Sequence, residues 1–185
     1  AKHPLLNAVG IDRSYYGPIS IDEFQAYAHQ VPDDFRFLVK GGQAVTSPVT
    51  AEPGRAANPH FFDSSWTADY VVRPYVEGLG SKAGVLLLQL PPIPQGTFSS
   101  PESFADRLYD YLSKLPKGAR YAVELRNAAF FTPRYADALK ATGVSHCYNV
   151  HPSMPSLTRQ VGRIPLNTGP LIVRWMLREG MSFEQ

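Results

Sequence analysis

The sequence predicts an α/β fold in which parallel strands alternate with helices. Three observations point to it. Strand-like and helix-like patterns take turns along the whole chain. Strand segments such as 84–88 (GVLLL) are apolar on both sides, as a parallel sheet covered on both faces requires. Connections from helix to strand are short (31–34, 79–83, 115–119), whereas two connections after strands are long (41–62 and 151–169). Right-handed βαβ units arranged this way close into a barrel or spread into an open doubly wound sheet. The loop asymmetry places a site at the C-terminal ends of the strands.

Residues 9–16 (VGIDRSYY) read as the first strand. Ser20 opens a helix with a capping box closed by Glu23, and Ile19 and Phe24 are spaced as a hydrophobic staple across it. Val31-Pro32 ends that helix. FRFLVK, 35–40, is the second strand. The irregular stretch 41–62 leads to Asp63 or Ser64, which caps a helix carrying Trp66, Tyr70 and Val71; Pro74 should kink or divide it. A continuous apolar strand, 84–92, follows. Ser100-Pro101 pairs a cap with a proline suited to the first helical turn, and Phe104, Leu108, Tyr111, Leu112 and Leu115 form that helix's buried stripe. RYAVELRN (120–127) is a strand, and Thr132-Pro133 repeats the cap-plus-proline signal before Gly143 ends the helix. VSHCYNV (144–150) and PLIVRWML (170–177) complete about six strands, against the eight of a full barrel.

The bulk composition narrows the function classes. The chain has 185 residues, 44% hydrophobic, with a net charge of +2. These values suit one folded domain spanning residues 1–185 and argue against disorder. Lysines and arginines are scattered, so nucleic acid is not the expected partner. No apolar run is long enough to cross a membrane, and the one cysteine, Cys147, precludes an internal disulfide. A cytoplasmic protein is expected. Walker, GxGxxG, GxSxG, HExxH and CxxC patterns are missing, so nucleotide, dinucleotide, serine-hydrolase and zinc readings have no motif support and the cofactor is left open. His60 and Asp63, taken with His151, do not have diagnostic metal-ligand spacing, and no metal is expected.

Strand alternation selects the residues that face the sheet interior. Glu124 and Arg126 share one face of their strand, while Val123 and Leu125 share the apolar one that suits the helix layer. The same logic turns Arg36, Leu38 and Lys40 inward and puts Gln89 near the end of the third strand. Asp12, Ser14 and Tyr16 fall on one face, as do Asn149 and His151, and Arg174 accompanies Ile172. The expected site is therefore a rim of Asp12, Tyr16, Gln89, Asn149, His151 and Arg174 as ligand-binding residues. Glu124, Arg126 and Lys40 are the candidates for chemistry. Three cations suit a phosphate or carboxylate, and Glu124 or His151 is a candidate general acid or base. A Glu-x-Arg on a strand is equally read as an internal salt bridge in a polar layer. Cys147, in mid-strand, reads as a small buried hydrophobe.

The ordered set IDRSYY, FRFLVK, LLLQLPP, YAVELRN followed by AAFF, and LIVRW resembles the YecE-like family, known as domain of unknown function family 72. The resemblance implies a TIM-barrel-like fold, here incomplete at both ends, and a pocket, but no reaction. Several positions depart from the family pattern. Gly10 stands where an acid is usual, Asp12 where asparagine is common, and Thr46-Ser47 where Thr-His is frequent. Phe130 or Phe131 replaces a tryptophan. The expected function is binding of a small phosphorylated or carboxylated metabolite, with hydrolase or isomerase chemistry as its enzymatic form. The alternatives are a non-catalytic module for nucleic acid or protein, or a degenerate member with a vestigial pocket. A homo-oligomer that covers the open sheet edges is a further expectation.

Overall fold

A computed structural model describes residues 6–51, 56–166 and 170–176. Six strands, β1 (Ala8–Ile11), β2 (Arg36–Lys40), β3 (Ala83–Gln89), β4 (Tyr121–Glu124), β5 (Ser145–Asn149) and β6 (Ile172–Arg174), pair in sequential order. Every pairing is parallel. The result is a curled, half-barrel α/β sheet, the incomplete TIM-barrel-like architecture that the alternating pattern predicts.

Burial on the two faces shows why the sheet curls. The convex face carries the large core, in which Phe37, Val39, Leu86, Leu88, Val123 and Leu125 meet the helices. The concave face carries a small separate cluster of Val85, Leu87, Ala122, Cys147 and Ile172, with Leu38 packed against it. These inner side chains are short or branched and reach one another across the curl, so Leu87, Ala122 and Cys147 become fully buried. The alternation predicted for β2, β4 and β6 is the one found, and β3 is apolar on both faces as expected.

The helices start where the caps predicted. Helix α1 (Ile21–His29) has the Ser20–Glu23 capping box, with Ser20 Oγ accepting from Glu23 N at 3.2 Å. Ile19 and Phe24 are both in the core. A short helix, α2 (Gln43–Thr46), interrupts the stretch read as irregular. Asp63 caps α3 (Ser64–Thr67), which runs through a π-helical turn at Ala68–Val72 into α4 (Arg73–Leu79). Pro74 has no N–H to give to the preceding turn, and the wider turn upstream absorbs that loss. Gly78 lets α4 cross α1 at close range; a Cβ there would lie 2.3 Å from Phe24 Cβ.

Helix α5 (Pro101–Ser113) buries Phe104, Leu108, Tyr111 and Leu112. Each such side chain contributes about 1.5–3 kcal/mol. Thr132 caps α6 (Pro133–Thr142), and Gly143 ends it in the left-handed conformation at φ 70°. Two further expectations differ. The first strand stops at Ile11, because the chain turns into a 3-10 helix at Arg13–Tyr15. The stretch after β5 contains a helix, α7 (Leu157–Arg163), capped by Ser156. Leu177, the last residue read into the final strand, and Gly169, the end of the long loop, lie outside the described residues.

Candidate functional site

The C-terminal ends of the strands bring six of the predicted polar side chains to one rim. Glu124, the last residue of β4, is fully buried. Its Oε1 accepts from Arg126 Nε at 3.1 Å and its Oε2 from Arg174 Nη1 at 2.6 Å. The same Arg174 nitrogen donates to Gln89 Oε1 at 2.6 Å. Strands β3, β4 and β6 are thereby joined through the Arg174 guanidinium. Inward placement follows from register: Gln89 is the direct partner of Glu124, and Arg174 the partner of Asn149.

The two arginines are not sealed in. Their side chains are 20% and 29% exposed, while that of Glu124 is 0% exposed. Among the described residues no partner is found for the two terminal nitrogens of Arg126, nor for Nε and Nη2 of Arg174. The Glu124 hydrogen bond and charge hold the Arg174 guanidinium above its ordinary pKa despite the opposing pull of burial. Across the rim, Lys40 Nζ lies 3.2 Å from Asp12 Oδ2 and 5.5 Å from the ring centre of Tyr15. Counting Asp12, Lys40, Glu124, Arg126 and Arg174, three cations meet two anions, and one positive charge is left over.

Tyr15 is the rim residue that strand alternation missed. The 3-10 turn rotates the side chains, so Tyr15 is half-buried and feels the charges of Arg126 and Glu124, while Tyr16 swings outward to 82% exposure. Burial raises the Tyr15 hydroxyl pKa, with the nearby Arg126 charge acting against it. The cue in the sequence was Asp12-Arg13-Ser14, a turn-forming run that interrupts the period of two. Ser14 is a structural pin: its hydroxyl lies 2.7 Å from Lys40 O and 3.1 Å from Ile11 O.

Asn149 and His151 are in place but committed. Asn149 donates through Nδ2 to Leu125 O at 3.1 Å and accepts from His151 N at 3.1 Å. Both ends of its amide are thus used to fix the loop. His151 Nδ1 accepts from Ser153 N at 3.2 Å. Burial lowers the His151 pKa, and the Arg126 charge lowers it further. Glu124, with each oxygen held by a guanidinium, is placed to position the arginines rather than to shuttle a proton.

Cys147 is buried on the concave face, and burial pushes its thiol up to about 12, so it stays neutral. His146 is a buried group on the opposite face of β5. Its Nδ1 lies 2.9 Å from Tyr135 Oη and its Nε2 lies 3.2 Å from Gln160 Oε1. The Gln160 oxygen can only accept, so Nε2 carries the hydrogen and the Tyr135 hydroxyl donates to Nδ1. Burial lowers the His146 pKa to about 4. Among the described residues, no group of three or more His, Cys, Asp or Glu is placed to hold a metal, and no helix is long and apolar enough to cross a membrane.

The fold and this rim define a half-barrel α/β protein with a cationic cluster at its strand ends. The chain belongs to the family described as Protein of unknown function DUF72, whose model matches residues 1–184. It is similar to a crystal structure of a DUF72 family protein from Enterococcus faecalis V583, with a TM-score of 0.57 at 18% identity, covering 97% of this chain and 69% of that one. A second crystal structure of a DUF72 family protein from the same organism gives 0.58 at 19% identity, covering 94% and 61%. A DUF72 family protein from Thermotoga maritima MSB8 gives 0.54 at 19% identity, covering 81% and 53%. The chain thus spans between 53% and 69% of the length of these structures. At such identities the likeness is one of fold. No curated protein matches the chain.

Proposed function

We propose that the chain binds a small anionic metabolite, phosphorylated or carboxylated, at the C-terminal ends of its strands. One observation carries the reading. Two arginines share a single buried carboxylate and, among the described residues, keep guanidinium N–H groups without partners, partly open to solvent. A purely structural ion pair balances its charges, because unpaired charge near the interior is expensive. Among the described rim residues one positive charge is in excess, and guanidinium forks match phosphate and carboxylate oxygens.

In this reading Arg126, Arg174 and Lys40 contact the anion, Glu124 and Gln89 hold the arginines in position, and Tyr15 closes the side. If the site performs hydrolysis or isomerisation, His151 is its candidate base, since burial and Arg126 favour its neutral form. Glu124 is a poorer candidate, with both oxygens occupied.

A thermal-shift series tests the reading. A ligand that binds only the folded state raises the melting temperature by mass action. Sugar phosphates and organic diacids are expected to raise it and neutral sugars to leave it unchanged. Equal responses to the charged and neutral series, or none to either, would contradict an anion site.

A further inference from the structure

A cavity of about 310 Å³ opens beside the rim, between the 3-10 turn after β1, the loop after β2 and the α3–α4 helix. Lys40 and Tyr15 belong to both the cavity wall and the cationic rim, so the cavity borders the rim. The rest of the wall is mostly apolar and notably aromatic. Trp66 is stacked between His60 and Tyr70, with ring centres 4.9 Å apart on each side. Tyr16 meets Tyr15 edge-on at 5.3 Å. Tyr16 and Tyr70 are 82% and 53% exposed, so both rings are open to a ligand. A third feature is independent of these. The hydroxyl of Thr50, in the same wall, is buried and has no hydrogen-bond partner among the described residues. Such a group is destabilising until something satisfies it.

We infer that this cavity receives the apolar ring of an amphiphilic anion whose phosphate or carboxylate sits at the rim beside Lys40 and the arginines. The inference rests on the anion reading above and narrows it to aryl or cyclic organic phosphates and carboxylates. The volume agrees. A dry cavity of about 150 Å³ holds benzene, so this one has room for a single substituted ring. Thr50 Oγ1 is available to a ring substituent, and the edge of Trp66 and the exposed ring of Tyr16 offer edge-on or offset ring contacts.

Calorimetric titrations with inorganic phosphate, phenyl phosphate and phenol separate the two claims. The wild type is expected to bind phenyl phosphate about tenfold more tightly than inorganic phosphate, the equivalent of about 1.4 kcal/mol. Trp66→Ala should abolish that gain and leave the affinity for inorganic phosphate unchanged. Tyr16→Ala, at an exposed position that folding does not need, should reduce it. If inorganic phosphate binds but phenyl phosphate binds no more tightly, the cavity inference falls and the anion reading stands. The same holds if the gain survives both substitutions. If phenol binds as well as phenyl phosphate, the ring site exists but its ligand is not an anion, and the inference fails. If nothing binds, both fail.

Discussion

Replacing Glu124 by glutamine keeps the shape of the side chain and removes the charge that two arginines share. The carboxylate is 0% exposed and makes contacts of 3.1 and 2.6 Å to separate guanidiniums. Breaking a buried pair by removing one partner costs roughly 3–5 kcal/mol. The arginine side chains retain 20% and 29% exposure, so water compensates part of this. The expected loss is about 2–3 kcal/mol, a fall in melting temperature of roughly 5–10 °C for a chain of this size. The substitution should also cost more than Arg126→Ala, because Arg174 still satisfies Glu124 in the latter. Urea denaturation of the three proteins at neutral pH measures both quantities. In Glu124→Gln, phosphate should recover more stability than chloride at matched ionic strength, since an anion at the exposed side of the arginines can supply the missing negative charge. A Glu124→Gln midpoint within experimental error of the wild type would refute the shared-carboxylate account. So would an Arg126→Ala variant that is the less stable of the two.

Three further outcomes follow from the packing. His146 titrates at about 4 in the folded state against an ordinary 6.5. Its contribution is therefore complete above pH 6.5 and is lost as the pH falls toward 4, a loss of about 3 kcal/mol. His146→Gln should flatten stability between pH 6.5 and 4.5 relative to the wild type, and parallel curves would contradict the assignment. Gly78→Ala would force a methyl to within 2.3 Å of Phe24 Cβ and 2.8 Å of Ile21 O; a loss of about 1–3 kcal/mol is expected in chemical denaturation, and a neutral result would show that α1 and α4 separate freely. Removing the α5 cap with Ser100→Ala exposes the N–H of Ser103, which Ser100 Oγ accepts at 3.1 Å. It should cost about 1 kcal/mol, with an unchanged melting temperature as the contrary result.

Much of this was legible in the chain because it depends on local rules. Alternation turned Glu124, Arg126, Lys40 and Arg174 to one side of the sheet, and Gln89 stood out as the one polar side chain of its strand. Ser20 announced its helix through Glu23, three places on, and Ser100 and Thr132 announced theirs through the proline that follows each. The failures came where a local rule was carried past its element. The period of two was run through Asp12 into a 3-10 turn, which put Tyr16 where Tyr15 stands. Proline and serine between β5 and β6 hid α7, although Ser156 and the spacing of Leu157, Gln160 and Ile164 were its cues. Other features depend on contacts between distant segments. His146 finds its partners on α6 and α7, 11 and 14 residues away. The aromatic cavity is assembled from three connections, and no single stretch of sequence describes it.

The central claim is that the rim arginines form an anion site and not merely a polar core. Titration of inorganic phosphate into the wild type and into Arg126→Ala and Arg174→Ala, each first shown to be folded by circular dichroism, tests it most directly. The account predicts one saturable site in the wild type that weakens as chloride is raised and is weakened by either substitution. Absence of saturable binding in the wild type, or binding of equal strength in both folded variants, would contradict it.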